Sequence, residues 1–284
     1  MAKLIALIDG SIYGQSVCDH AAWAAMRGPM SVELIHVLGR RDIASAPVNL
    51  SGSIGLGART TLLAELAEMD EQKAKLAHKR GRIILDDAAA VLEKHGVSKI
   101  DTKLRNEDIV ETIQSFEQDA ELIVIGKRGE AADFAKLHLG SNLERVVRAS
   151  HRPVLVASRA FKPIRRLLVA FDGGQSALKA VAYIAASPLF ADIECHLLSA
   201  GADTSENRAR LDTACVLLET AGRKVSADIR VGHPEEVITQ AIETDGIDLL
   251  VMGAFGHSRI RNLIIGSTTT EMVRSCKIPV LLFR

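Results

Sequence analysis

The chain has no net charge: 35 lysines and arginines balance 35 aspartates and glutamates across 284 residues. That removes the basic excess by which a dedicated nucleic-acid binder neutralises phosphates. The four cysteines, Cys18, Cys195, Cys215 and Cys276, form no CxxC pair, so a disulfide framework or zinc site is not expected. No apolar stretch approaches the roughly 20 residues that span a bilayer. The apolar run after Lys3 ends at Asp9 and Gly10, too early for a secretory core. A cytoplasmic protein without nucleic-acid or membrane partners is the expectation. With 48% apolar and 25% charged residues, the chain has the make-up of a globular protein large enough for two domains.

What the sequence does contain is a repeat. Residues 4–9 (LIALID) match 167–172 (LLVAFD), and 31–38 (SVELIHVL) match 192–199 (DIECHLLS), with His36 set against His196 when the second run slides by one residue. Residues 99–105 match 226–230, 121–126 (ELIVIG) match 248–253 (DLLVMG), and 152–156 match 278–282. Each is a short Leu-rich or β-branched run suited to a strand buried on both faces. Between them lie helical patterns, such as 177–186 and 211–221, closed by Pro188 and Gly222. Five strands alternating with helices in each copy predict an α/β fold with a parallel sheet between helices. The first copy is longer by about 36 residues, a surplus near 39–71 that includes a glycine cluster at 52–57 and leads into a helical pattern over 61–95. Two domains are expected, 1–160 and 164–284, joined by a linker around Pro163.

The chemistry-bearing pattern follows the fourth strand of the second copy: Gly253 and Gly256, nine further residues, then Gly266 and Ser267. Glycines let backbone N–H groups approach an anion. A helix opening at Ser267 would turn its unpaired N–H groups and positive dipole end towards phosphate. The position, beyond the carboxyl end of a strand, is where open α/β sheets bind ligands. A structural alternative is helix capping, by Thr268 with Glu271 or Ser267 with Thr270. The first copy keeps a variant: Gly126 and Gly129, ten residues, then Gly140, Ser141 and Asn142, where Ser141 with Glu144 also reads as a capping box. A P-loop is excluded because the lysine of G-x-x-x-x-G-K-[ST] is missing. Residues 171–176 (FDGGQS) only faintly resemble the loop of ATP pyrophosphatases, since Gln175 stands where that loop needs aspartate.

On these motifs the chain resembles the universal stress protein family, and the resemblance covers both halves. It implies two tandem, Rossmann-like, open parallel five-stranded sheets of order 3-2-1-4-5. It also implies ATP as ligand, with Mg²⁺ as a candidate companion. In the second copy it places Ala170 and Asp172 beside adenine and ribose, Leu197 against the base, and Gly253, Gly256, Gly266, Ser267 and Thr268 around the phosphates. A second, partial site would use Asp9, Val37, Gly126, Gly129, Gly140, Ser141 and Asn142. Lys127, Arg128, Lys136, His257, Arg259 and Arg261 lie in the two glycine loops, where they either neutralise phosphate or form solvated basic surface. No nucleophile with a base stands out, so a nucleotide-holding regulator is expected, with at most slow ATPase turnover. The alternative is an interaction scaffold or small-molecule sensor on the same fold. The fifth strands, 153–156 and 279–282, would pair within the chain as an internal pseudo-dimer, leaving a protein partner and a homodimer open.

Overall fold

A computed structural model describes residues 2–39, 56–129, 140–255 and 265–284, with the backbone alone for 56–60. In the first half, strand β1 (Ala2–Leu7) leads to helix α1 (Gly14–Arg27), β2 (Met30–Val37), the 39-residue helix α2 (Leu56–Lys94) and β3 (Ile100–Arg105). Helix α3 (Ile109–Phe116), β4 (Ala120–Gly126), α4 (Ser141–Ala149) and β5 (Val154–Ala157) complete it. The second half repeats the order: β6 (Arg166–Ala170), α5 (Gln175–Ala186), β7 (Glu194–Ala200), α6 (Ser205–Thr220) and β8 (Val225–Arg230). Then come α7 (Pro234–Thr244), β9 (Leu249–Gly253), α8 (Ser267–Ser275) and β10 (Val280–Phe283).

The two expected five-stranded sheets are halves of one. Its order is β3-β2-β1-β4-β5-β10-β9-β6-β7-β8, so each half has the order 3-2-1-4-5. Every pairing within a half is parallel; β5 and β10 meet antiparallel, with Leu155 opposite Leu281. The outer strands β3 and β8 carry Asp101, Lys103, Asp228 and Arg230, charges that blunt an exposed edge.

Strand side chains alternate between two apolar layers. Leu4 and Ala6 join the layer under α1, α2, α5 and α6, while Ile5 and Leu7 join the layer under α3, α4, α7 and α8. Both layers run unbroken across the β5–β10 seam. A strand buried on both faces has to be apolar throughout, which is why these strands read as continuous apolar runs.

The repeat alignment needs one correction. Leu4 pairs with Val32 and Leu167 with Cys195, so the counterpart of His196 is Glu33 and that of His36 is Ser199. The two histidines are three positions apart in register and lie on opposite faces. His36 is buried, with Nδ1 2.7 Å from the Ile8 carbonyl oxygen, whereas the imidazole of His196 meets the Ser226 hydroxyl at 2.8 Å.

Leu155 and Leu281 are each 1% exposed. Truncating Leu155→Ala should cost about 2–5 kcal/mol, the range for a buried leucine whose cavity cannot fully collapse. Urea unfolding measures this, and a loss below about 1 kcal/mol would mean that the seam is not tightly packed.

Candidate functional site: two clefts at the carboxyl ends of the strands

In each half a cleft opens where the sheet order reverses, beyond the carboxyl ends of the first and fourth strands. The second-half cleft has a volume of about 880 Å³, within the range of small-molecule sites. Its apolar wall comes from Ala170, Leu198, Ala200, Ile238, Met252 and Phe255. Opposite lies the start of α8, where Gly266 is the N-cap and Ser267 the first helical residue. The amides of that first turn have no intrahelical acceptor, and the dipole is positive there. One end of the cleft therefore suits a flat apolar group and the other an anion.

Local sequence explains the geometry. Gly253 ends β9 against α5, where a Cβ would lie 3.0 Å from the Ser176 Cβ, so a side chain would displace the helix or the loop. Gly232 has φ +151°, and a Cβ there would meet Val237 Cγ2 at 2.8 Å; this turn starts α7 with Pro234 in its first turn. Neither cap that the structural alternative offered for α8 forms. The Thr268 hydroxyl donates to Glu235 Oε1 (3.1 Å), Thr269 donates to the Gly253 carbonyl (2.9 Å), and Glu271 pairs with Arg274. Ser267 is exposed at the helix start. Asp172, also exposed, accepts from the Gly174 amide at 2.8 Å.

The structure thus gathers Ala170, Asp172, Gly253, Gly266, Ser267 and Thr268 around one cleft. Gly256, His257, Arg259, Arg261 and Lys136 lie outside the described residues. Leu197 is corrected: it is fully buried in the layer under α5 and α6, on the opposite face of the sheet. Its neighbours Leu198 and Ala200 face the cleft instead. A shift of one residue along a strand changes the face, and strands apolar on both faces give no alternation by which to detect it. Phe255, Ile238 and Met252 were also not anticipated; Met252 sits two residues beyond Leu250 on the cleft-side layer, so strand parity alone would have found it.

The first-half cleft uses the matching positions Asp9, Val37, Gly126, Gly129, Gly140 and Asn142 but has a volume of only about 60 Å³. Residues 127–129, just after β4, lie against the start of α4. A Cβ on Gly140 would be 3.5 Å from Arg128 Cα, and one on Gly129 would be 3.0 Å from Asp9 Oδ2. The Ser141–Glu144 capping box is absent, because Gly140 takes the N-cap and Ser141 falls one position late, exposed beside the cleft. Lys127 reaches across to the other half: its ammonium donates to the Cys276 carbonyl, at the end of α8, at 2.8 Å. Burial, reinforced by neighbouring Arg128, lowers its pKa to about 8.

A third concavity, about 390 Å³, lies at the opposite end of β6–β8 around His196, Ser226, Arg230 and Asp245. Its charges compensate one another: Arg166 binds Glu194, and Arg230 binds both Asp228 and Asp245, all at 2.8 Å. Burial lowers the pKa of His196 and favours its neutral form.

A doubled open α/β sheet with a cleft and a helix start at each switch point defines a class of Rossmann-like folds. The model of the universal stress protein family matches residues 1–158 and 196–284, and the chain belongs to that family. It is 39% identical over 287 residues to a universal stress protein of Synechocystis, covering the whole of both chains. It is 22% identical over 295 residues to one of Mycolicibacterium smegmatis, covering 98% of this chain and 95% of the relative. Its fold matches the crystal structure of a universal stress protein from Archaeoglobus fulgidus with a TM-score of 0.73 at 22% identity, covering 99% and 98% of the two chains.

The lowered pKa of Lys127 has a consequence for stability. Below pH 8 the folded and unfolded chains both hold its proton, and the burial penalty is fully present. Between about 8 and the ordinary 10.5 the unfolded chain holds a proton that the folded chain has released, so stability rises with pH. Wild type should therefore gain stability relative to Lys127→Met across this window and keep a constant difference below it. Urea unfolding of both proteins from neutral to alkaline pH tests this, and a difference that never changes would return Lys127 to an ordinary pKa.

Proposed function

We propose that the protein is an ATP-binding regulator of the stress-response type that holds its nucleotide mainly in the second-half cleft. The observation that carries the reading is the size and two-ended character of that cleft: about 880 Å³, apolar at Ala170, Leu198 and Ala200, with the first turn of α8 opposite. Adenine would lie on the apolar wall, Asp172 would face the ribose, and Gly253, Gly256, Gly266, Ser267 and Thr268 would surround the phosphates. Among the described residues no cluster of His, Cys, Asp and Glu is built to hold a metal, so Mg²⁺ would arrive on the polyphosphate.

The narrow first-half cleft, with Lys127 turned to Cys276, makes Asp9, Val37, Gly126, Gly129, Gly140, Ser141 and Asn142 the weaker site. We read the chain as two domains, 1–160 and 164–284, sharing one sheet. A cytoplasmic location fits four cysteines that are all free, and no described helix is long and apolar enough to cross a membrane.

Isothermal titration calorimetry with ATP should show one dominant site per chain. Ala200→Trp fills the apolar wall and should weaken binding at least about 100-fold, the loss of roughly 2.7 kcal/mol. Val37→Trp, its counterpart in the first half, should leave the dominant site unchanged. Absence of binding at millimolar ATP, or unchanged affinity in Ala200→Trp, would remove the reading. Turnover should stay well below about 1 s⁻¹, the lower end of ordinary enzymes.

A further inference from the structure

In the first half the chain lays one of its own rings against two cations. Phe116, the last residue of α3, has its ring centre 4.8 Å from the Arg105 guanidinium carbon and 5.9 Å from the Lys3 ammonium. Such a ring is held by its quadrupole as well as by apolar contact. Strand pairing locates the same place in the second half. Leu4 is level with Val32 and Ile100, and Leu167 with Cys195 and Val225. Lys3 therefore corresponds to Arg166, Glu33 to His196, Asp101 to Ser226 and Arg105 to Arg230. The four second-half residues line the concavity of about 390 Å³. Helix α7, which follows β8 as α3 follows β3, contains no aromatic residue. The two cations are kept, and the ring is not.

Both cations are paired, and the pairing shapes the place. Arg166 donates to Glu194 and to the Asp245 carbonyl, and Arg230 donates to the Asp228 and Asp245 carboxylates. Guanidinium N–H bonds lie in the plane of the group. These contacts hold the edges of each guanidinium and leave the faces for stacking. Three carboxylates, Glu194, Asp228 and Asp245, balance Arg166, Arg230 and the lining Lys224. That balance offers an ion no net attraction, while a neutral ring can use the cation faces. The Ser226 hydroxyl is exposed there and meets His196 Nδ1 at 2.8 Å. A hydroxyl has capacity for further hydrogen bonds beyond that one.

We propose that this concavity binds a small uncharged aromatic molecule, with its ring against the guanidinium faces of Arg166 and Arg230 and its polar edge at the Ser226 hydroxyl. The ligand takes the place that Phe116 fills in the first half. A volume of about 390 Å³ lies at the small end of ligand sites and suits one or two fused rings. The site is at the opposite end of the strands from the second-half cleft and does not depend on nucleotide binding there.

Phenol and indole are the probes, with cyclohexanol as a ring of similar size that lacks a π face. In ¹H–¹⁵N TROSY titrations of the full chain, both aromatics should give saturable shifts at residues 194–196 and 224–230. Cyclohexanol should bind at least about 10-fold more weakly. Arg230→Met keeps an apolar stem, removes the stacking plane and should weaken both aromatics about 10-fold. Ser226→Phe, at an exposed position on the outermost strand, supplies a ring from the chain itself and should abolish their binding with unchanged circular dichroism. No saturable shift up to about 10 mM aromatic, equal binding of cyclohexanol, or unchanged affinity in the two variants overturns the proposal. So does N-acetyl-tyrosinamide binding more than about 10-fold tighter than phenol, which would assign the place to an aromatic side chain of a partner protein.

Discussion

Three residue pairs, Val156 with Val280, Leu155 with Leu281 and Val154 with Leu282, join two five-stranded sheets into one. Each partner strand is only four residues long, too short to hold a half apart from the other on its own. Without this contact both halves would end in a fully apolar unpaired strand, the kind of edge that recruits other chains. With it, both hydrophobic layers become continuous, and only the charged strands β3 and β8 remain at the margins. The rest of the architecture depends on that closure, because α4 and α8, which flank the two clefts, pack over the strands nearest the seam.

Within this frame the copies have diverged in opposite directions. The second keeps an open cleft with small residues at Ala170 and Ala200. The first places Leu7 and Val37 at the same points, brings Asp9 against Gly129, and sends Lys127 across to the other half. It has also acquired the long helix α2. One copy keeps an open cleft, while the other has narrowed its own.

Much of this was legible in the sequence because the determinants are local. Apolar runs mark strands of a parallel sheet, Gly222 and Pro188 close helices, and the 121–126 and 248–253 runs each end in the glycine that borders a cleft. The failures have a common cause. Aligning the halves by their histidines gave a register wrong by three residues, since the actual phase is set by hydrogen bonding between neighbouring strands. Assigning Leu197 to the cleft failed by a single residue, because strands apolar on both faces do not reveal which face is which. The Ser141–Glu144 cap failed because a helix starting one residue earlier or later exchanges a capping hydroxyl for an exposed one. Nor could any local pattern show that Lys127, within a glycine loop, would reach a carbonyl 149 residues away.

That lysine also bears on how separable the halves are. Helix α8 presents its positive pole to the cleft, and its negative pole, at Cys276, receives the ammonium of Lys127 from the other half. A cation at a helix carboxyl end stabilises the helix, so the helix that borders one half's cleft is electrically completed by the other half. Arg284, at the end of the chain, returns the contact by donating to the Arg148 carbonyl at 2.8 Å. An excised second half would lose the strand that covers β10 and the charge that caps α8 at once. The repeat visible in the sequence is therefore not a pair of separate modules: the two copies share one sheet, and each closes a strand or helix end that the other leaves open.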